Sequence, residues 1–268
     1  MTRIAICGIA GRMSGRVASL ALEAGDIEIV GGVEVPGHES IGHDVGDVVG
    51  ARRIGVHVVD DLEHTVGSAD VVVVFTAPPD SCLEAARIAA DAEKALVVGT
   101  TGLRADQLQT FKDSVKNVPC VFAPSFSVGV TALIKLVEEA ARIMGDAYDV
   151  EIVEAHHHFK ADAPSGTALA LGEAAARGLD RDLAKVGVYG RHGDVGARTR
   201  EEIGIHAVRS GDNAGEHTVY FGGTGETIQF VHRAQSRDSF ATGAIRAIRY
   251  AAEAQPGFYS MRDVLGIA

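Results

Sequence analysis

The sequence predicts an α/β protein: an N-terminal doubly wound, Rossmann-like parallel sheet, then a second α+β domain with a mixed or antiparallel sheet. Three observations carry this reading. Up to about residue 126, short apolar runs alternate with helix-like segments. Glycine closes most of those runs, and the chain holds 32 glycines, as tight strand-to-helix turns require. Beyond about residue 200, strand-like runs follow one another across short turns with no helix between them.

The elements follow in order. Residues 3–7 form a continuous apolar run, as expected of a strand buried on both faces. It ends in Gly8-Ile9-Ala10-Gly11-Arg12-Met13-Ser14-Gly15, and residues 16–23 read as a helix ended by Gly25. Residues 27–34 form a second strand with Glu34 at its end. Strand, glycine turn, helix, strand and acid, in that order, is the dinucleotide-binding pattern: glycines admit a pyrophosphate to the helix N-terminus, and the acid accepts hydrogen bonds from a ribose. The spacing departs from the usual fingerprint, with Ala10 at a customary glycine position and the acid somewhat late. An ordinary tight βα turn is the plain alternative.

Residues 36–55 read as a loop. Residues 70–76 form a strand, Ala77-Pro78-Pro79-Asp80-Ser81 caps a helix over 82–92, and residues 95–102 form a strand ending in a Gly-Thr turn. A helix over 105–115 and a strand within 118–126 complete the alternation. Ligands of such sheets sit beyond the carboxyl ends of the strands. That rule gathers the turn from Gly8 to Met13, Glu34, Thr76 and Ala77 on one edge. Gly99, Thr100 and Thr101 join them, as do Ala123, Pro124, Ser125 and Phe126.

The pattern then changes. Residues 127–144 read as a long helix with Val128, Leu133, Leu136, Val137 and Ile143 on its apolar face. After a strand through residues 150–153 and the helix that follows it comes a polar, basic loop over 185–200. Strands over 203–209, 216–221 and 227–234 come next. Helices over 239–254 and 259–265 end the chain. The expected domains are residues 1–126 with 238–268, for a dinucleotide, and 127–237, for substrate binding and oligomerisation.

Composition narrows the partners. A formal net charge of −11 argues against nucleic acid or an anionic membrane as the main partner. No apolar run is long enough to span a bilayer, and no signal-peptide pattern opens the sequence. Cys7, Cys82 and Cys120 are scattered within apolar stretches, which suits reduced, buried thiols and a cytoplasmic location.

The chemistry concentrates in Glu154-Ala-His-His-His-Phe-Lys-Ala-Asp-Ala-Pro-Ser-Gly-Thr-Ala168. His156, His157 and His158 supply imidazoles, a group able to donate or accept protons, and Lys160 adds an ammonium. Pro164 and Ser165 open a helix whose first amides, at Gly166 and Thr167, lack intrahelical partners and suit a carboxylate or phosphate. That set fits an enzyme that binds a small dianionic acid and moves a proton on it. Two other readings stand beside it: a solvated strand end, and a metal site with ligands at His156 and His158. A metal-dependent lyase or hydrolase would need a third ligand from His206, His217 or His232.

This signature resembles that of the 4-hydroxy-tetrahydrodipicolinate reductase family. The likeness extends to Phe-Thr-x-Pro at 75–78, Val-x-Gly-Thr-Thr-Gly at 97–102, Phe-Ser-Val-Gly-Val at 126–130, Gly-x-x-Gly-Glu-His and Met-Arg-Asp-Val-Leu. It implies reduction of a cyclic, unsaturated dicarboxylic imine by NADH or NADPH in lysine and diaminopimelate biosynthesis. Hydride goes to ring C4 and a proton is added beside it. It also implies a homotetramer joined through the second domain's sheets, with no metal. By position, His156 resembles the general acid/base and His157 a carboxylate ligand. Lys160 would bind or protonate the substrate, and Gly166 and Thr167 would hold the other carboxylate. Gly8, Ile9, Ala10, Gly11, Arg12, Met13, Glu34, Gly99, Thr100, Thr101, Ala123, Pro124, Ser125 and Phe126 would line the cofactor site.

Two departures matter. Relatives that use NADPH well often carry arginines where this chain has Val35 and Ala77. A 2′-phosphate would then meet Glu34 without a cation, so NADH is the expected donor. Ser125 replaces a common asparagine, which weakens or hydrates a hydrogen bond expected near the nicotinamide. A related dehydrogenase on another anionic substrate would keep the glycine turn and lack the histidine signature. A non-catalytic dinucleotide sensor would lack the paired histidine and lysine.

Overall fold

The computed structural model describes residues 1–267. The chain begins β1 (Thr2–Cys7), α1 (Arg12–Glu23), β2 (Ile27–Val33), α2 (Val45–Val48), β3 (Val58–Val59), α3 (Glu63–Val66) and β4 (Val71–Val74). It continues with α4 (Pro79–Asp91), β5 (Ala95–Val98), α5 (Ala105–Ser114), β6 (Pro119–Phe122), α6 (Val128–Met144), β7 (Asp149–His156) and α7 (Gly166–Gly178). Then come α8 (Leu183–Val186), β8 (Gly187–Val188), β9 (Ile203–Arg209), β10 (Glu216–Gly223), β11 (Glu226–Arg233), α9 (Asp238–Glu253), β12 (Gly257–Tyr259) and α10 (Met261–Val264). Two compact units emerge: Met1–Ser127 with Phe240–Ala268, and Val128–Ser239.

The first unit holds a seven-stranded sheet in the order β12-β6-β5-β4-β1-β2-β3, every neighbouring pair parallel. The two-residue period of a strand divides its apolar runs between two cores. Ile4, Ile6, Val71, Val73 and Val97 pack into one layer. Ala5, Cys7, Val72, Val74 and Val98 pack into the other. Continuous apolar sequence is what a sheet covered on both faces demands.

The second unit holds a five-stranded mixed sheet, β11-β10-β7-β9-β8. β7 pairs antiparallel with β10 and parallel with β9. Val150, Ile152, Ile203, Ile205, Val219 and Phe221 face Leu133, Val137, Leu171 and Ala174 in a single core. The opposite face carries Glu151, which accepts from Arg191, Arg198 Nε and His206 Nε2 at 2.8–2.9 Å.

Several boundaries differ from the sequence reading, each for a local reason. α1 begins at Arg12, not residue 16, because Gly11 is extended and Arg12 to Gly15 already hold helical geometry. α4 begins at Pro79, where a proline costs no helical hydrogen bond. The loop over 36–55 contains α2, held by the buried Asp44 carboxylate, which accepts from the amides of Gly46, Ile54 and Gly55. A four-residue helix fixed by one carboxylate leaves no periodicity to read. The loop over 185–200 starts later, since Lys185 lies in α8 and Gly187–Val188 form β8. Tyr259 ends β12, which adds to the sheet beside β6, and the last helix is only Met261–Val264.

On α6, Leu136 and Ile143 are 54% and 82% exposed, whereas Thr131, Ala140 and Ala141 are buried. Small residues face α7 because the helices approach closely: a Cβ on Gly178 would stand 2.4 Å from the Glu138 carbonyl oxygen. Hydrophobicity alone misplaces such a face.

In the first unit, α9 lies against the segment after β6 through Gly243, where a Cβ would fall 1.7 Å from the Phe126 carbonyl oxygen. Backbone against backbone has no soft side chain to yield. Gly243→Ala is therefore expected to destabilise the protein by about 2 kcal/mol or more, read as a lower denaturant midpoint. An unchanged midpoint would refute this packing.

Candidate active site

The glycine turn of the first unit begins at Gly8, just past β1, in a backbone conformation that glycine adopts most readily. Gly8 has φ +66°, and a Cβ there would stand 3.1 Å from Thr76 Cγ2. The Gly11 amide donates to the Gly8 carbonyl at 2.8 Å. Gly11 is the N-cap of α1 and offers no side-chain cap, so the helix's first amides are left for a ligand. Glu34 stands just beyond β2; its Oε2 accepts from the Ala10 amide at 3.1 Å and its Oε1 from the Val35 amide at 3.0 Å. Beside this turn lies a cavity of about 750 Å³ lined by Gly8, Ala10, Gly11, Glu34 and Thr76. Asp60, Asp61, Glu63 and Glu84 add negative charge to its wall. Among the described residues no lysine or arginine lines it.

The remaining expected cofactor residues spread along the same strand ends. Arg12 is exposed, and Met13 packs partly into the core. Ile9 is fully buried and its amide donates to the Val33 carbonyl, so it acts as core. A Cβ on Gly99 would strike the Phe75 ring at 2.1 Å, and Phe75 in turn meets Phe126 edge-on at 5.3 Å between centroids. Thr100 Oγ1 donates to the Thr76 carbonyl at 3.0 Å, while Thr101 is exposed. Ala123 and Phe126 are buried, Ser125 is half-buried and Pro124 exposed.

In the second unit, strand periodicity builds the polar cluster. Val150, Ile152, Glu154 and His156 share one face of β7, so the apolar core gives way to a carboxylate and an imidazole at the strand's end. Glu154 is fully buried. Its oxygens accept from His156 Nδ1 at 2.6 Å, from Arg209 Nη1 and Nη2 at 2.8 and 2.9 Å, and from the Ser165 amide at 3.0 Å. These donors hold its carboxyl below the usual range against the opposing effect of burial. Burial lowers the His156 pKa; Glu154 opposes that, while Lys160 and Arg209 add to it. With Nδ1 committed to Glu154, Nε2 is the nitrogen left for chemistry. Gly215 leaves it room, since a Cβ there would stand 3.0 Å away.

Lys160 Nζ lies 2.8 Å from Asp162 Oδ1. His157 Nδ1 is buried and unpaired. His158 is exposed and bonded to the Gly211 carbonyl. Ser165 caps α7 as expected, its Oγ accepting from the Ala168 amide at 3.2 Å, which leaves Gly166 and Thr167 at the open N-terminus. No group of three histidine, cysteine or acidic residues among those described is arranged to hold a metal ion. The three cysteines are buried free thiols; burial pushes Cys7 up to about 12 and Cys82 up to about 11.

In the sequence alone, Glu154 and Arg209 have no assigned role, and Ser165 and His217 have other ones. Arg209 ends β9 directly beside His156 in the parallel register; a basic residue closing an apolar strand was its only signal. Ser165 is more than a cap: its Oγ also lies 3.1 Å from His217 Nε2. His217 faces Glu154 across the β7–β10 pair and its ring centroid is 5.2 Å from that of His156. The direction of that bond follows the His217 tautomer, since the Ser165 hydroxyl keeps both a donor and a second acceptor site after accepting the Ala168 amide.

Burial and the nearby His156 and His232 rings push the His217 pKa down to about 3. Between its usual value near 6.5 and about 3, the unfolded chain binds a proton that the folded chain does not. Stability is thus full above that window and falls as pH drops into it. Equilibrium unfolding should show wild type losing about 1.4 kcal/mol more than His217→Asn between pH 7.5 and 5.5. Equal losses would place the protonation elsewhere.

A family model described as dihydrodipicolinate reductase, N-terminus, matches residues 2–126, and its C-terminus counterpart matches residues 129–265. The 4-hydroxy-tetrahydrodipicolinate reductase of Syntrophobacter fumaroxidans is 47% identical over 267 residues, covering 100% of both chains. That of Alkalilimnicola ehrlichii is 48% identical over 268 residues, covering 99% of each. Among solved structures, dipicolinate-bound dihydrodipicolinate reductase from Paenisporosarcina sp. TG-14 superposes with a TM-score of 0.75 at 26% identity over 97% of each chain. An engineered D-amino acid dehydrogenase bound to NADP+ shares the fold alone, at 16% identity and a TM-score of 0.55 over 97% of this chain and 93% of that one. With both of its parts matched and full-length relatives near half identity, the chain belongs to the dihydrodipicolinate reductase family.

Proposed function

We propose that His156 and Lys160 are the acid–base and charge-neutralising groups of the family's reaction in this chain, with NADH as the preferred donor. The chain is an NAD(P)H-dependent oxidoreductase that reduces 4-hydroxy-tetrahydrodipicolinate to tetrahydrodipicolinate in lysine and diaminopimelate biosynthesis. The observation that carries the assignment is the His156 ring, tethered through Nδ1 to a buried carboxylate with Nε2 left over.

The first unit, with its positive-φ Gly8, uncapped α1 and Glu34, fits a dinucleotide: pyrophosphate at the helix start and ribose hydroxyls on the acid. When bound, the dihydronicotinamide supplies the hydride. The chain's own residues do the rest. The Gly166 and Thr167 amides and the Thr167 hydroxyl take one substrate carboxylate, and His157 takes the other. The Lys160 ammonium offsets the dianion's charge, and His156 Nε2 holds the proton delivered next to the reduced carbon. Dipicolinate, the ligand named for the Paenisporosarcina enzyme, is a ring bearing two carboxylates, which is the shape this arrangement suits.

The cavity wall supports the donor preference. A 2′-phosphate carries about −1.5 to −2 charges and would enter a wall of Glu34, Asp60, Asp61, Glu63 and Glu84. Val35 supplies no cation. A homotetramer, expected of the family, fits the face of the mixed sheet turned away from α6 and α7. Val208 and Val231 stand 45% and 44% exposed there.

Purified protein should oxidise NADH only when the product of dihydrodipicolinate synthase is supplied. His156→Ala should lower kcat about a hundredfold or more with little change in NADH affinity, and Lys160→Ala should damage both kcat and KM. Near-normal turnover by His156→Ala would remove the acid–base assignment. In the same assay kcat/KM for NADH should exceed that for NADPH by about tenfold, or about 1.4 kcal/mol. Equal or better use of NADPH would defeat the donor preference.

A further inference from the structure

We propose that Glu154 and Arg209 are a charge-balanced positioning pair. They fix which nitrogen of His156 reacts and keep its pKa from being driven upward. This rests on the reading of His156 as the acid–base residue and names the residues that set it.

The geometry singles out this pair. Glu154 is the only carboxylate bonded to the His156 ring among the described residues, and it is fully buried. An ionised carboxylate 2.6 Å from an imidazole in a dry site strongly favours imidazolium. Alone, Glu154 would hold a proton on His156 too tightly for delivery. Arg209 answers that charge with a two-pronged contact on the same carboxylate, at 2.8 and 2.9 Å. The pair is then close to neutral as seen from the ring, and the ring keeps a directional Nδ1–H···O bond without a large pull on its proton.

Arg209 also donates from Nη2 to the Asp162 carbonyl at 2.6 Å, and Glu154 Oε1 accepts the Ser165 amide at 3.0 Å. Asp162 in turn holds Lys160 at 2.8 Å. One ion pair therefore anchors the histidine, the turn that carries the lysine partner, and the start of α7 with its open amides. No sequence-adjacent residue could do this, since Glu154 and Arg209 belong to neighbouring strands.

Other groups face His156 as well. On its own segment stands Lys160, and on β10 His217, whose ring is 5.2 Å away and is kept neutral by burial down to about 3. His232 on β11 adjoins His217 at 6.1 Å. Burial is the largest influence on the ring and disfavours the imidazolium; Glu154 favours it, and Lys160 and Arg209 offset part of that pull. Removing either member of the pair should tip that balance in opposite directions.

The test follows the His156 ring by 15N–13C NMR titration, together with the pH profile of kcat/KM, in folded wild type, Glu154→Gln, Arg209→Met and Arg209→Lys. Arg209→Met should raise the His156 pKa by about one unit or more. Glu154→Gln should lower it by a similar amount, and Arg209→Lys should remain nearer wild type. Both Glu154→Gln and Arg209→Met should lose about tenfold or more in kcat. In wild type the neutral ring should carry its proton on Nδ1. Shifts in the same direction, no shift in folded variants, or an Nε2–H neutral tautomer would overturn the proposal. If the ring pKa moves as expected while His156→Ala keeps normal turnover, the pair sets the ring and the acid–base reading fails instead.

Discussion

A buried carboxylate with four protein donors is the constraint on which the second unit's chemistry depends. Desolvating Glu154 is costly unless every lone pair is answered, and a half-answered network would be worse than an apolar core. Here an imidazole, a guanidinium and a backbone amide answer it. The cost of burial is offset by geometry: the histidine at the end of β7, the arginine at the end of β9 and the turn before α7 must all converge. Backbone pairing enforces the same convergence, since His156 and Arg209 are register partners in a parallel ladder.

Much of this was legible in the sequence because strand periodicity writes it there. Val150 and Ile152 announce the strand only as far as residue 153, and the structure carries the same face on through Glu154 and His156. Ser165 before Gly-Thr-Ala announces a helix start, and the fold provides it. The glycine turn, read as strand–turn–helix–strand–acid, forms in that order, although α1 begins four residues early. Arg209 was not legible. It is one of many basic residues at strand ends, and only the pairing of β7 with β9, some fifty residues apart, gives it meaning. The exposed Leu136 and Ile143 failed for a related reason: two helices in close contact prefer alanine and glycine to leucine, and that preference depends on the partner helix.

The two units divide the requirements of a reductase between opposite electrostatic solutions. The first offers backbone amides at a helix start with a carboxylate beside them, suited to a pyrophosphate and a ribose. The cavity beside them is lined by Glu34, Asp60, Asp61, Glu63 and Glu84, with no lysine or arginine among the described residues. The second offers ammonium, imidazole and free amides, suited to a dianion. A chain with a formal net charge of −11 thus concentrates its anion-binding capacity locally. Neither solution relies on unusual composition; both rely on where strands end.

On the proposed reading, His156 meets the substrate through Nε2 while Nδ1 stays on Glu154. The most direct measurement is the 15N chemical shift of both ring nitrogens during titration of the NADH-free protein with dipicolinate, an inert ring dicarboxylate. Nε2 is expected to move toward the protonated position as the dianion binds, with Nδ1 protonated throughout. A ring whose nitrogens ignore a saturating dicarboxylate, or whose Nδ1 responds in place of Nε2, would contradict it.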